Sequence, residues 1–275
     1  MEEISMMMEQ HENVFGTKKP LIGCLHMAAL PGSYYADPTM TYRDQIRRLK
    51  EDAKILMGEG FDACVFANEG DRPYLSQVGP ETVASYVRIA AEVAADLTIP
   101  YGCGVLIDPI ATLAVAKAID AKFVRTYVTG TYNGLFGWQT FNPGEIFRYQ
   151  KQIGAENVRV YTYFEPHAGT GMDTRPVENQ IDGALLNLPI AGVLMGGPRA
   201  GLPPQATALG RVKERFPQTP LILGSGGRVD NIKELLTIAD GVIIGTSIKK
   251  EGILWNQIDP QRAAAFVKAA REAKS

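Results

Sequence analysis

The sequence predicts an α/β protein: a (β/α)8 barrel whose eight parallel strands close into one sheet. Three observations predict it. Eight short apolar runs alternate with eight helical stretches along 275 residues, about 34 residues per pair. The runs are mostly apolar from end to end, as strands buried on both faces require, rather than alternating as half-exposed strands do. The first run leads into HMAALPGS, which lacks the glycine fingerprint of the rival fold, an open doubly wound sheet.

The strand-like runs are 20–25 (PLIGCL), 62–66 (DACVF), 100–106 (PYGCGVL), 123–128 (FVRTYV), 158–164 (VRVYTYF), 191–195 (AGVLM), 220–223 (PLIL) and 241–244 (GVII). Helices are expected at 41–59, 80–96, 109–119, 143–153, 176–187, 203–215, 229–238 and 259–273. Thr41 is an N-cap candidate and Gly60 a stop signal. Pro80 and several later prolines suit a first helical turn. No linker interrupts residues 20–275, which read as a single barrel domain. Residues 1–19 read as an N-terminal extension, a loose tail or a short helix that packs as an arm.

Composition excludes several classes. Residues of the hydrophobic class make up 45% and charged residues 21%, enough to bury a large core and to exclude disorder as the main state. Lys+Arg 28 against Asp+Glu 30 gives a net charge of −2, without the basic excess of a nucleic-acid partner. The apolar runs are strand-sized, so no integral membrane association is expected. MEEISMMMEQ lacks the basic and apolar parts of a signal peptide, which predicts a cytoplasmic protein. Cys24, Cys64 and Cys103 are scattered in apolar runs, as reduced core thiols are.

Active sites of such barrels lie at the C-terminal ends of the strands, so the residues after each strand form one set. The sharpest signal is ILGSGGRVDNIKELLTIADGVIIGTSIKKEG, residues 222–252. There the seventh strand ends in Ser225, Gly226 and Gly227, and the eighth in Gly245, Thr246 and Ser247. Glycines let backbone N–H groups approach a phosphate, and a following helix N-terminus adds donors. The plainer alternative is two tight turns that need positive φ. Gly196 and Gly197, after the sixth strand, would add a third wall, although loop geometry also accounts for them.

The remaining strand ends carry acids, histidines and an asparagine, a set suited to acid–base work or to holding a divalent metal. His26 follows the first strand, with Asn68, Glu69 and Asp71 after the second and Asp108 after the third. Glu165 and His167 follow the fifth. His26, Glu69, Asp71, Asp108 and His167 are the catalytic candidates. Asn68 is an orienting residue and Glu165 a neighbour able to tune His167. Two of these have structural alternatives, since Asp71 suits a turn cap and Asp108-Pro109 suits a helix start. Arg125 points either into the barrel, where it needs a carboxylate partner, or into the helical coat. Lysines are absent from the strand ends, and Lys249 and Lys250 are expected to face solvent. That disfavours Schiff-base chemistry. Cys24 reads as core.

Several segments resemble the BtpA/SgcQ family of phosphate-binding TIM barrels. IGCLHMAALPGS (22–33) is similar to its opening HLxPLPGS, FVRTYVTG (123–130) to its FxRxxxxTG, and DGVIIGTSIKKEG with WNQIDPQR to its ending. The SgcQ-like branch is the nearer one. The resemblance implies a barrel like those of sugar-phosphate isomerases, epimerases and lyases. One branch is associated with sugar-phosphate genes and another with photosystem I biogenesis, as a peripheral membrane factor. The family's ENFGD reads Ala67-Asn68-Glu69-Gly70-Asp71 here, its VLRND-like segment has lost the arginine before Asp108, and its VKHA-like segment has lost the lysine before His167. Asn68, Asp71 and His167 therefore carry over, whereas Glu69, Asp108 and Glu165 do not do so one for one.

The expected function is that of an enzyme acting on a small phosphorylated sugar or related ester. The expected chemistry is acid–base isomerisation, epimerisation or lysis, with or without a divalent metal, in a homo-oligomer. The alternative is a non-catalytic assembly factor or metabolite-binding protein on the same scaffold.

Overall fold

The computed structural model describes residues 2–199 and 201–272. In chain order its strands are β1 (Leu21–His26), β2 (Ala63–Ala67), β3 (Tyr101–Gly104), β4 (Phe123–Thr126), β5 (Gly130–Gly134), β6 (Gly137–Phe141), β7 (Arg159–Tyr163), β8 (Gly169–Gly171), β9 (Gly192–Met195), β10 (Leu221–Leu223) and β11 (Gly241–Ile244). Eight of them close in the order β1-β11-β10-β9-β7-β4-β3-β2. All these pairings are parallel, and β1 closes the ring with Leu21 opposite Val242 and Ile22 opposite Ala63. Each of the eight coincides with an apolar run of the sequence.

The helices follow their local signals. α1 is Glu2–Phe15, and α2 is Tyr42–Gly58. Thr41 and Asp44 form a reciprocal capping box before α2, satisfying two donors that a helix start leaves open. α3 (Pro80–Ala94), α4 (Pro109–Ala118) and α5 (Pro143–Gln152) each begin on a proline. α6 (Val177–Asn187), α7 (Ala206–Arg215), α8 (Ile232–Ile238) and α9 (Pro260–Glu272) complete the coat. Two layers of core result. Ile22, Cys24, Val65, Leu194, Ile222 and Ile243 fill the barrel interior. Leu21, Leu25, Leu56, Phe66, Ile89 and Phe266 lie between sheet and helices.

The segment before the barrel is more than a tail. α1 carries Phe15, 4% exposed, whose ring meets Phe123 edge-on at 5.0 Å. His11, 1% exposed, places Nδ1 2.9 Å from the Tyr161 hydroxyl. α1 therefore packs on the interior cluster of the barrel.

A second sheet lies outside the eight-unit pattern. β6, β5 and β8 form a three-stranded antiparallel sheet in that order, built from the segments after β4 and β7. Tyr132 and Phe141 are its buried residues. Its other positions are polar, glycine or exposed, which is why no apolar run marks it. Among the described residues no helix is long and apolar enough to cross a membrane.

Candidate active site

Two adjoining cavities open at the C-terminal ends of the barrel strands. The smaller, about 220 Å³, is lined by Gly224–Arg228, Gly245–Ser247, Gly201, Arg262 and His26. The larger, about 700 Å³, is lined by rings and aliphatic side chains together with His167. Glu69, Arg125, Gly224, Ser225 and Leu254 line both.

The smaller cavity is a backbone cradle. Gly226 has φ +84°, and a Cβ there would lie 2.1 Å from the Pro203 nitrogen, so only glycine fits. The Ser225 hydroxyl donates to the Leu202 carbonyl (3.2 Å) and the Ser247 hydroxyl to the Gly227 carbonyl (2.9 Å). Arg262 Nε holds the Ser247 carbonyl at 3.0 Å, fixing the second turn from behind. Among the described residues no acceptor is found for the N–H groups of Gly226, Gly227, Thr246 and Ser247. These donors line a concave site with Arg228 and Arg262, an arrangement that suits an anion. α8 has seven residues and starts only at Ile232, so turn N–H groups and arginines make the cradle. Gly196 and Gly197 do not line it, contrary to the expectation of a third wall. The Gly197 N–H is used by the Leu202 carbonyl, and Gly201 lines the cradle instead.

At the wall between the cavities stands Glu69. Its Oε2 lies 3.5 Å from Arg125 Nη2 and 3.9 Å from His26 Nε2. Arg125 thus points into the barrel and finds the carboxylate that a buried guanidinium needs. Burial pushes the Glu69 carboxyl above its usual range, and Arg125 pulls it back only in part. Burial also holds His26 well below the ordinary histidine range, helped by the charges of Lys249 and Arg125. Burial thus disfavours the charged form of both His26 and Glu69, in opposite directions of pKa.

His167 lies across the larger cavity. Its Nδ1 is 2.9 Å from the Gly197 carbonyl, and a carbonyl accepts only from N–H, so Nε2 carries the lone pair. Burial again lowers its pKa. Gly196 lies under this ring, with no room for a Cβ.

The other candidates are braces. Asn68, fully buried, accepts from the Leu106 N–H (2.8 Å) and donates to Asp71 Oδ2 (2.9 Å). Asp71 Oδ1 accepts from the Leu30 N–H (2.6 Å). Asp108 accepts from the Ala111 N–H (2.9 Å), capping α4, and from the Val78 N–H (3.0 Å). These carboxylates tie the loops after β1, β2 and β3 together, and none of the three residues lines either cavity. Glu165 lines a separate pocket with Gly196, Gly197 and Arg211, and burial raises its carboxyl.

Lys249 reverses an expectation. It is 1% exposed, with Nζ 3.3 Å from Asp52 Oδ2, while Asp52 Oδ1 accepts from the Ile258 N–H (2.8 Å). A bridge between Lys249 and Ile258 turns the chain back after the eighth strand and carries the lysine inward. The signal was on α2, where Asp52 shares the buried face with Leu49, Ala53 and Leu56. A carboxylate on an apolar helix face needs a buried cation. Among the described residues no group of three His, Cys, Asp or Glu side chains stands together as metal ligands.

A model of the BtpA family matches residues 17–272, and the chain belongs to that family, as the motifs implied. It is 35% identical to SgcQ of Escherichia coli K12, named for the sgc region, over 93% of this chain and 96% of that one. It is 31% identical to the photosystem I biogenesis protein BtpA of Synechocystis, over 94% and 90%. Among solved structures it resembles N-(5'-phosphoribosyl)anthranilate isomerase from Pyrococcus furiosus (TM-score 0.56, 15% identity, 92% of this chain and 99% of that one). It also resembles a native KDPGal structure (TM-score 0.58, 15% identity, 94% and 97%). At these identities the likeness is one of fold, and the fold is that of TIM-barrel enzymes.

Proposed function

We propose that this chain is an enzyme acting on a small phosphorylated sugar or a related phosphate ester, moving a proton next to a carbonyl. The outcome is isomerisation, epimerisation or a retro-aldol-type cleavage. One observation carries the reading: Glu69 stands at the wall common to an anion cradle and a larger cavity, 3.5 Å from Arg125. A phosphate held by the turns Ser225–Gly227 and Gly245–Ser247 would put the carbons of its ester beside Glu69. Glu69 is then the base, Arg125 the fixed positive charge for a developing enolate oxygen, and neutral His26 and His167 the groups able to relay or donate protons. Asn68, Asp71 and Asp108 hold the loops that carry these groups.

A thermal-shift panel of sugar phosphates, each with and without Mg²⁺, Mn²⁺ or Zn²⁺, tests the reading. A ligand at 100 times its Kd adds about 2.7 kcal/mol, which is roughly 5–10 °C for a chain of this size. A shift that Ser225→Asp abolishes supports the cradle. No shift with any phosphate refutes it.

A second reading, a non-catalytic assembly factor, rests on the name of the Synechocystis relative and on one surface. Trp138 on the small antiparallel sheet, Leu135 in its β5–β6 turn and Met172 just after β8 are 64%, 76% and 51% exposed. Liposome flotation that Trp138→Ser abolishes would favour it.

A further inference from the structure

We infer that the phosphate ester taken by this site carries a flat aromatic or heteroaromatic group, held in the larger cavity, and is not a bare sugar phosphate. The inference rests on the phosphate reading of the adjoining cradle and names the other end of that ligand.

The larger cavity, about 700 Å³, lies in the range of sites that enclose drug-sized molecules. The cradle already provides the room a phosphate needs. Its walls come from separate loops: Tyr35 after β1, Arg72 and Tyr74 after β2, Leu106 after β3, Phe136 between β5 and β6, and Trp255 after β11. Tyr74 and Phe136 bring their rings to 5.2 Å. The Arg72 guanidinium is sandwiched, 4.5 Å from the Tyr35 ring centre and 3.9 Å from that of Trp255. The shared guanidinium holds both rings in place at the wall, so they present flat apolar surface already ordered for another flat group.

Three tyrosine hydroxyls of this wall already donate to backbone carbonyls, which leaves this stretch of the wall poor in donors for a polyol. The Tyr74 hydroxyl donates to the Glu69 carbonyl (3.0 Å) and the Tyr163 hydroxyl to the Gly224 carbonyl (3.4 Å). The Tyr127 hydroxyl accepts from the His167 N–H (3.2 Å) and donates to the Glu165 carbonyl. Arg125 pairs with Glu69 through Nη2 and keeps its Nε, without a hydrogen-bond partner among the described residues, for the oxygen next to the reacting carbon. With their protons used, these tyrosines offer mainly ring carbon to whatever enters. A polyol buried among them would exchange water for few replacement partners, whereas an aromatic ring gains ring contacts. Tyr35 and Trp255, 55% and 42% exposed, stand at the mouth as apolar surface that a ligand ring would cover.

Calorimetry on the full chain with inorganic phosphate, ribose 5-phosphate, 1-naphthyl phosphate and 1-naphthol tests this. The expected result is 1-naphthyl phosphate bound at least tenfold tighter than ribose 5-phosphate and than 1-naphthol. The double variant Tyr35→Ala/Trp255→Ala should reduce the margin over ribose 5-phosphate below threefold, with inorganic phosphate held within twofold of the parent. Both rings are partly exposed, so their truncation leaves the core intact. Ribose 5-phosphate bound as tightly as 1-naphthyl phosphate overturns the inference and leaves the phosphate cradle standing. A naphthyl margin that survives in the double variant also overturns it. If inorganic phosphate and both phosphate esters fail to bind, or 1-naphthol matches its phosphate, the cradle reading fails and the inference with it.

Discussion

Arg125 Nη2 lies 3.5 Å from Glu69 Oε2 with both side chains nearly sealed from solvent, at 11% and 12% exposure. The arginine comes from the middle of β4 and the glutamate from the loop after β2, so the pair joins two non-adjacent strands across the barrel mouth. The pair has a stabilising consequence that can be measured. Arg125→Leu leaves the Glu69 charge buried with its main partner gone, which costs about 3–5 kcal/mol. A carboxyl whose folded pKa lies above its unfolded value loses stability as pH rises through the folded value. The deficit of Arg125→Leu is therefore larger at pH 8 than at pH 5. Urea denaturation at the two pH values checks this, and adding Glu69→Gln to Arg125→Leu should recover much of the loss at pH 8. An Arg125→Leu chain as stable as the parent at pH 8 would show that the pair is not coupled.

The catalytic assignment predicts a split between rate and binding. Glu69→Gln keeps the shape of the side chain and removes the base, so kcat should fall by about 10²–10⁴ with inorganic phosphate affinity within threefold. His167→Ala should abolish turnover and leave phosphate affinity within a few-fold. Burial raises Glu69, so activity should decline on the acid side at a pH above the ordinary carboxylate range, as the base takes up its proton. Full-rate turnover by either variant, with a phosphate ester identified by the thermal panel, removes that residue from the mechanism.

The fold was legible because strand burial and helix starts are local signals. All eight barrel strands coincide with apolar runs such as Ala63–Ala67, and Thr41, Pro80 and Asp108 stand where their helices begin. The antiparallel sheet was not legible, because Gly130–Gly134 and Gly137–Phe141 bury only Tyr132 and Phe141 and so have no apolar run. The cradle turns were legible as glycine clusters at strand ends. What the sequence could not distinguish is an acid that faces a cavity from one that caps a backbone. Glu69 and Asp71 are two residues apart, yet Asp71 is used by the Leu30 N–H and Asn68 while Glu69 faces Arg125. That choice is made by contacts with distant loops. The same holds for Lys249, whose partner Asp52 is far away in sequence.

Asp108 should behave as a brace. Asp108→Ala leaves the buried N–H of Ala111 and the half-buried N–H of Val78 without acceptors. At about 1–3 kcal/mol for each unsatisfied group, the variant should lose roughly 2 kcal/mol or more, read by urea denaturation. A loss below about 0.5 kcal/mol would mean that water replaces both bonds.

The two cradle glycines make a matched pair. At Gly226 a methyl group would meet the Leu202–Pro203 backbone at 2.1–2.3 Å, and φ is +84°. Gly226→Ala should therefore displace the loop or the turn, costing about 1–3 kcal/mol of strain and at least tenfold in affinity for inorganic phosphate. At Gly227 the added methyl would meet Val242, Ile232 and Ile244 side chains at 3.2–3.5 Å, on the apolar side of the turn. Gly227→Ala should keep phosphate affinity within threefold. Calorimetry with inorganic phosphate distinguishes them, and equal losses in both would mean that the turn is not the phosphate cradle.

His11 makes stability depend on pH from the far side of the barrel. Burial lowers it from 6.5 to about 4, and its Nδ1 pairs with the Tyr161 hydroxyl. The folded value lies below the unfolded one, so the unfolded chain takes up the proton first as pH falls. Stability is then complete above pH 6.5 and is lost progressively down to pH 4, by up to about 3 kcal/mol. This slope is opposite in sign to that of Glu69, whose folded carboxyl is raised. His11→Asn retains a polar partner for Tyr161 and removes the titration. It should be within about 1 kcal/mol of the parent at pH 7.5, on the scale of one neutral hydrogen bond, and should lose less stability than the parent between pH 6.5 and 4.5. Urea midpoints across that window measure the difference. Parallel curves for the two chains would mean that α1 lets His11 reach water when protonated, and that the helix opens without unfolding the barrel.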